Sequence, residues 1–237
     1  MEILEISGVS FGWEEMVSNA LKKGRKRKPS EDMISAVKRA YEKGLVCLDM
    51  RSALEIYKKE SDGDGYIVIS QEGGTCEKLF VGSKAGLLAP AEEVAILLCT
   101  VGSRLIDSMR ESEKAGDYLL MYYLDVFGVL ALAGLSSKAQ ARVSEIAASK
   151  GWGAGPVMQP GSVPGWSVEG QRDLYRLAHG EKIGLTLNDA SFLIPHLSES
   201  SLTGIGPHYG GEPGVKMCDD CPRRDKCLWR IENVSDE

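Results

Sequence analysis

Glu93-Val94-Ala95-Ile96-Leu97-Leu98-Cys99-Thr100 is a continuous apolar run of strand length, and its reading decides the fold. Such a run reads as a buried central strand, since a half-exposed strand would alternate with polar residues. Upstream, Ala53 to Lys59, Gly65 to Gln71 and Cys76 to Val81 are short stretches rich in Ile, Val, Tyr and Phe. Asp62-Gly63-Asp64-Gly65 and Glu72-Gly73-Gly74 lie between them, and these are turn signals, so the three stretches read as an antiparallel meander. Downstream, Gly102 to Glu113 and Gly116 to Lys150 read as helices. The second is apolar on most sides as far as Gly134, which places it in the middle of the fold. A break is expected near Gly134-Leu135-Ser136-Ser137.

Further out, Phe11 to Lys23 carries Trp13, Met16, Val17, Ala20 and Leu21 at helical spacing. The basic run Lys22 to Lys28 reads as a solvated connection between helices. Ser30 caps a second helix, with Glu31 and Asp32 at the positive end of its dipole. Gly44 is expected to end that helix. Gly151 to Gly165 reads as a Gly- and Pro-rich loop, Ser167 to His179 as a helix, and Leu185 to Leu187 and Ser200 to Ile205 as late strands. Helices before and after an antiparallel sheet indicate an α+β class, with a twisted, mainly antiparallel sheet and long helices.

The 237 residues are 43% hydrophobic and 26% charged, an ordinary globular composition that excludes disordered and low-complexity classes. A net charge of −6 argues against binding nucleic acid by phosphate neutralisation. Met1 to Glu15 has no basic start followed by an apolar stretch, so no signal peptide is expected. Leu119 to Leu135, interrupted by Asp125, is short for a bilayer span of about 20 residues. The expectation is a cytoplasmic protein with no membrane partner.

Of six cysteines, three fall in Cys218-Asp219-Asp220-Cys221-Pro222-Arg223-Arg224-Asp225-Lys226-Cys227, a C-x2-C-x5-C spacing. Two thiolates separated by two residues grip one metal from a single turn, and the third closes over it. Left unliganded, they would be oxidisable thiols on a polar tail. An iron–sulfur cluster is favoured by the all-sulfur set and by Arg223, Arg224, Lys226 and Arg230, which offset an anionic centre. Zinc is the alternative, with His208 completing a three-cysteine, one-histidine site. For the cluster, the fourth ligand is left open among Cys47, Cys76, Cys99, a partner's residue and a small molecule. Each remote cysteine also reads as a small buried hydrophobe. The division expected is 1–210 as an α+β domain and 211–237 as a Cys-rich metal-binding tail.

Other signals are weaker. Gly151, Gly153 and Gly155 follow a helix instead of a strand, so they do not make a dinucleotide fingerprint. Gly204-Ile205-Gly206 marks a strand end. His179 sits at a helix end and His196 follows Pro195; no serine–histidine–acid set and no catalytic carboxylate pair is apparent.

Cys99-Thr100-Val101-Gly102-Ser103-Arg104-Leu105-Ile106-Asp107, Gly116-Asp117-Tyr118 and Leu124-Asp125-Val126-Phe127-Gly128 resemble the activation domain of cobalamin-dependent methionine synthase, and above all its small free-standing relatives. The resemblance continues through Gln159-Pro160-Gly161, Gly180 to Leu187, Ile194-Pro195 and Ser200 to Gly206. It implies an α+β fold and a ligand site at Pro160 and Gly161. In the synthase this domain binds S-adenosylmethionine and presents its methyl group to a reduced cobalamin on a neighbouring domain. The family's Arg-x-x-Pro-Gly-Tyr loop is here Val157-Met158-Gln159-Pro160-Gly161-Ser162, and a helix glutamate is matched by Ala133. The missing arginine, tyrosine and glutamate imply weak or absent binding of S-adenosylmethionine. The function expected is an accessory protein of corrinoid-dependent methyl transfer. It would dock a cobalamin-binding protein and support its reductive activation through an iron–sulfur centre on Cys218, Cys221 and Cys227. The alternatives are a non-redox binding module with structural zinc, or an enzyme using the altered pocket for another small molecule.

Overall fold

In the computed structural model, which describes residues 1–22, 29–71 and 73–209, the apolar run is strand β5 (Glu93–Thr100) at the centre of a seven-stranded sheet. Val94, Ile96 and Leu98 enter one core and Ala95, Leu97 and Cys99 the other. Both faces of the strand are covered, which is why the sequence there has no polar alternation. β5 pairs antiparallel along its whole length with β2 (Arg51–Gly63) and β9 (Ser198–Gly206). Beyond β2 lie β3 (Tyr66–Ser70) and β4 (Cys76–Phe80), and beyond β9 lies β6 (Gly153–Met158). The described pairings are all antiparallel.

Strand β2 serves two partners on one edge. Its start pairs with β1 (Glu2–Glu5) and its end with β3, and a register shift between Lys59 and Ser61 accompanies the second pairing. At the sheet margin, β4 leaves Phe80 exposed, and the Lys78 ammonium lies 3.5 Å from the centroid of the Tyr66 ring on β3.

Helices α1 (Trp13–Lys22), α2 (Glu31–Cys47), α3 (Ser103–Lys114) and α4 (Tyr118–Ser149) supply the core on one face. On the other face lie α5 (Gln171–Leu177), the 3-10 turns at Ala85–Leu88 and Gly180–Ile183, and a small hairpin. That hairpin is β7 (Thr186–Leu187) with β8 (Leu193–Ile194). The α+β reading, with a mainly antiparallel sheet and long helices, is what the structure has.

Ser30 caps α2 by accepting the Met33 N–H at 3.2 Å, but Gly44 does not end the helix, which runs on to Cys47. The glycine has a packing reason. A Cβ there would stand 2.5 Å from Phe127 Cδ1 on α4, so its absence admits the ring between the two helices. Phe127 is fully buried and meets the rings of Phe11 and Tyr41 edge-on at 5.4 and 5.9 Å.

α4 also differs from expectation, because it passes through Gly134 without a break. Leu124, Phe127, Ala131, Leu135, Ala139 and Val143 hold one buried line on both sides of that glycine, and packing of that line outweighs a cost of about 1 kcal/mol for a helical glycine. The helix is long and apolar enough to cross a bilayer, yet that buried line is spent on α2, α3 and the sheet.

The expected loop from Gly151 contains strand β6, and the expected helix from Ser167 is a 3-10 turn followed by the two-turn α5. The basic run from Lys23 to Lys28 lies outside the described residues.

Gly44→Ala is expected to lower stability by about 1–3 kcal/mol through overpacking, although alanine is the better helix former. Urea unfolding checks this. Gly44→Ala/Phe127→Leu should cost less than the sum of the single changes, since the two positions touch.

Candidate functional site

Strand β6 ends in a tight turn. Pro160 supplies the fixed φ of the first central position and Gly161 the positive φ, 77°, of the second. The Ser162 N–H donates to the Gln159 carbonyl at 3.1 Å, closing the turn. The Gly161 N–H is held by the Trp166 carbonyl at 2.8 Å. This turn forms one wall of an open cleft of about 250 Å³. Gln171 at the start of α5 and Phe192 in the small hairpin form the opposite rim, and Ser198, Glu199 and Ser200 of β9 form the floor.

The floor is polar for a physical reason. β9 begins Ser198-Glu199-Ser200-Ser201 and ends in Leu202, Gly204 and Ile205, so only its second half is core. Ser200 and Ser201 are both buried but face opposite sides of the sheet. Ser201 accepts the Gln140 side-chain N–H at 3.1 Å, and Thr203 Oγ1 donates to Gln140 Oε1 at 3.2 Å, joining β9 to α4. Ser200 belongs to the cleft floor and is only 4% exposed, and its buried Oγ has no hydrogen-bond partner among the described residues. Such an orphan is uncommon in a native fold, and Ser52 Oγ, Ser108 Oγ and Trp166 Nε1 share that condition outside the cleft lining. Glu199 takes a 3.3 Å hydrogen bond from the Gln159 side chain, and among the described lining residues it is the one charged group.

The residues quoted from the family loop separate in space. Pro160, Gly161 and Ser162 line the cleft. Val157 is buried in β6 opposite Thr203, and Ala133 is exposed on α4; neither lines the cleft. Ala133 is therefore not part of this cleft, and the carboxylate among its described lining residues is Glu199. Glu199, Ser200, Gln171 and Phe192 were missed by sequence reasoning. The polar head of an otherwise apolar strand is the signal that would have found the first two.

Among the expected metal ligands, Cys218, Cys221 and Cys227 lie outside the described residues. His208 is exposed in the turn after β9. Among the described residues no three His, Cys, Asp or Glu side chains gather to hold a metal. Cys99 is buried in the core and Cys47 packs against it, whereas Cys76 is exposed at the start of β4. Cys76 is therefore not the core filler it was read as. His179 follows α5 with a left-handed φ of 53°, and His196 Nε2 lies 3.9 Å from Asp125 on α4. Neither joins the cleft.

No protein-family model matches the chain, and no curated protein matches its sequence. Among solved structures, the fold matches the crystal structure of the MetH reactivation domain bound to AdoHcy, with a TM-score of 0.64 at 12% identity. The match covers 90% of this chain and 81% of that one. The two share a fold, and the expected likeness to the activation domain of methionine synthase is found at that level.

Ser200→Ala should leave stability unchanged or raise it by up to about 1 kcal/mol, because it removes a buried hydroxyl that bonds nothing. Gln140→Ala should cost about 2 kcal/mol or more by stranding Ser201 and Thr203. Chemical denaturation of the two variants side by side makes the comparison.

Proposed function

We propose that this chain is a cytoplasmic accessory protein of corrinoid-dependent methyl transfer, one that docks a cobalamin-binding protein and supports its reductive activation. The observation that carries the reading is the fold match to the MetH reactivation domain over nine-tenths of the chain. Residues 1–210 would be the docking domain and 211–237 a metal-binding tail.

The cleft supports an accessory role over methyl donation. The solved neighbour holds AdoHcy, whose amino-acid end carries both an ammonium and a carboxylate. Here the cleft keeps the Pro160–Gly161 turn, and Glu199 suits the ammonium, but no described lining residue offers a cation to the carboxylate. Loss of that charge-assisted contact costs on the order of 1.5–3 kcal/mol. S-adenosylmethionine is accordingly a weak ligand or none.

The tail supports the reductive part. Cys218, Cys221 and Cys227 present three thiolates within ten residues, and the basic residues among and after them suit an anionic iron–sulfur centre. When bound, such a centre supplies one-electron transfer. Two further readings each have an observation behind them. His208, exposed ahead of the tail, favours a structural zinc site with no redox role. The polar lining of the cleft, with Gln159, Gln171, Ser198 and Glu199 beside the Pro160–Gly161 turn, favours an enzyme or binding protein for another small molecule.

Oxygen-free purification is expected to give brown protein with iron and acid-labile sulfide, lost in Cys218→Ser, Cys221→Ser and Cys227→Ser. Colourless protein containing zinc would transfer the case to the structural site. Calorimetry should find S-adenosylmethionine bound no better than millimolar, and titration with a cobalamin-loaded domain should show association. Absence of association with either cobalt oxidation state would remove the accessory role.

A further inference from the structure

Three glycines left over from the sequence reading, Gly153 and Gly155 on β6 and Gly204 on β9, share one feature in the fold. Each would collide with the same residue if it carried a side chain. A Cβ on Gly155 would stand 2.5 Å from Tyr209 Cε1. One on Gly204 would run into the Tyr209 hydroxyl, and one on Gly153 into the Tyr209 carbonyl oxygen. β6 and β9 are neighbours with Ala154 opposite Ile205, and Ala154 and Ile205 face the α4 core. The glycines therefore open on the other face, where α5 and the 85–88 turn lie. There the Tyr209 O–H donates to the Leu87 carbonyl at 2.8 Å, and its own N–H reaches the Gly206 carbonyl at 3.4 Å. Two adjacent strands lack side chains where one aromatic ring and its backbone lie, which is a built seat and not a chance contact.

We propose that this glycine socket docks Tyr209 and thereby roots the carboxyl-terminal cysteine segment at a fixed point on the α5 face of the sheet. Strand glycines weaken a sheet by conformational entropy and lost packing, so three of them around one ring are accounted for by the ring. Burial pushes the Tyr209 phenol up, so it stays a neutral donor to Leu87 throughout the physiological range. The consequence for the tail rests in part on the reading above, that its cysteines hold a metal. Cys218 is nine residues beyond Tyr209. At no more than about 3.6 Å per extended residue, its Cα lies within about 32 Å of Tyr209. Tyr209 is thus a positioning residue: it ligates nothing, and it fixes the point from which the cysteine-bearing segment leaves the sheet.

Chymotrypsin cuts after tyrosine, and it needs the side chain in its own pocket. We would digest the whole chain after chelator treatment and follow by mass the species ending at Tyr209, against a free peptide of residues 204–214. A docked ring makes cleavage after Tyr209 at least a hundredfold slower in the chain than in the peptide. Gly155→Val fills the socket, and protection should fall below tenfold while exchange protection of α4 amides is retained. Should that variant fail to fold, Tyr209→Phe keeps the cleavage site and the ring but loses the bond to Leu87, and should be cut at least threefold faster than the unaltered chain. Less than tenfold protection in the unaltered chain overturns the socket, as does protection unmoved by every substitution that folds. Protection that appears only after iron or zinc is restored assigns the docking to the metal and overturns it as well. Because the digestion is run without metal, failure of the iron–sulfur reading leaves its result intact.

Discussion

The arrangement depends on covering both faces of β5. A strand that sends Val94, Ile96 and Leu98 one way and Ala95, Leu97 and Cys99 the other has no face that water can occupy. A register slip of one residue would exchange the two sets between unlike cores. Full-length pairing with β2 and β9 fixes that register. The long helices lie on one side, where Gly44 lets Phe127 close the packing between α2 and α4. On the other side the cover among the described residues is one short helix, 3-10 turns and a hairpin of two-residue strands. The cleft lies on this side.

The site follows from a change of character within β9. Its second half is sheet core and its first half is serine and glutamate, at the end where β6 has turned away through Pro160 and Gly161. A cleft opens where the neighbour departs, and the polar head of the strand becomes its floor. The contrast between Ser200 and Ser201 shows how finely this is set. One residue apart, they point to opposite faces; one is satisfied by Gln140 and the other has no partner among the described residues.

Much of this was legible in the sequence. The apolar run, the Gly-Asp turn signals and the Ser30 cap all report local chemistry, and each produced the element expected. The errors were non-local. Gly44 looked like a helix terminator because nothing nearby in sequence reveals Phe127, 83 positions on. Gly153 and Gly155 looked like loop residues because Tyr209, whose ring explains them, arrives from beyond β9. Ala133 was matched to a family glutamate by order along the chain, and only the fold shows it outside the cleft. Glu199 and Ser200 carry no motif; they matter because two strands part beside them.

The guarded margin at β4 bears on how another protein would meet this one. An extended peptide adding itself to that edge would have to displace or desolvate the Lys78 ammonium from its place over Tyr66, a charge that discourages edge-to-edge growth. Backbone pairing is thus a poor route of association at that end of the sheet. Recognition there falls to side chains presented by helices and loops.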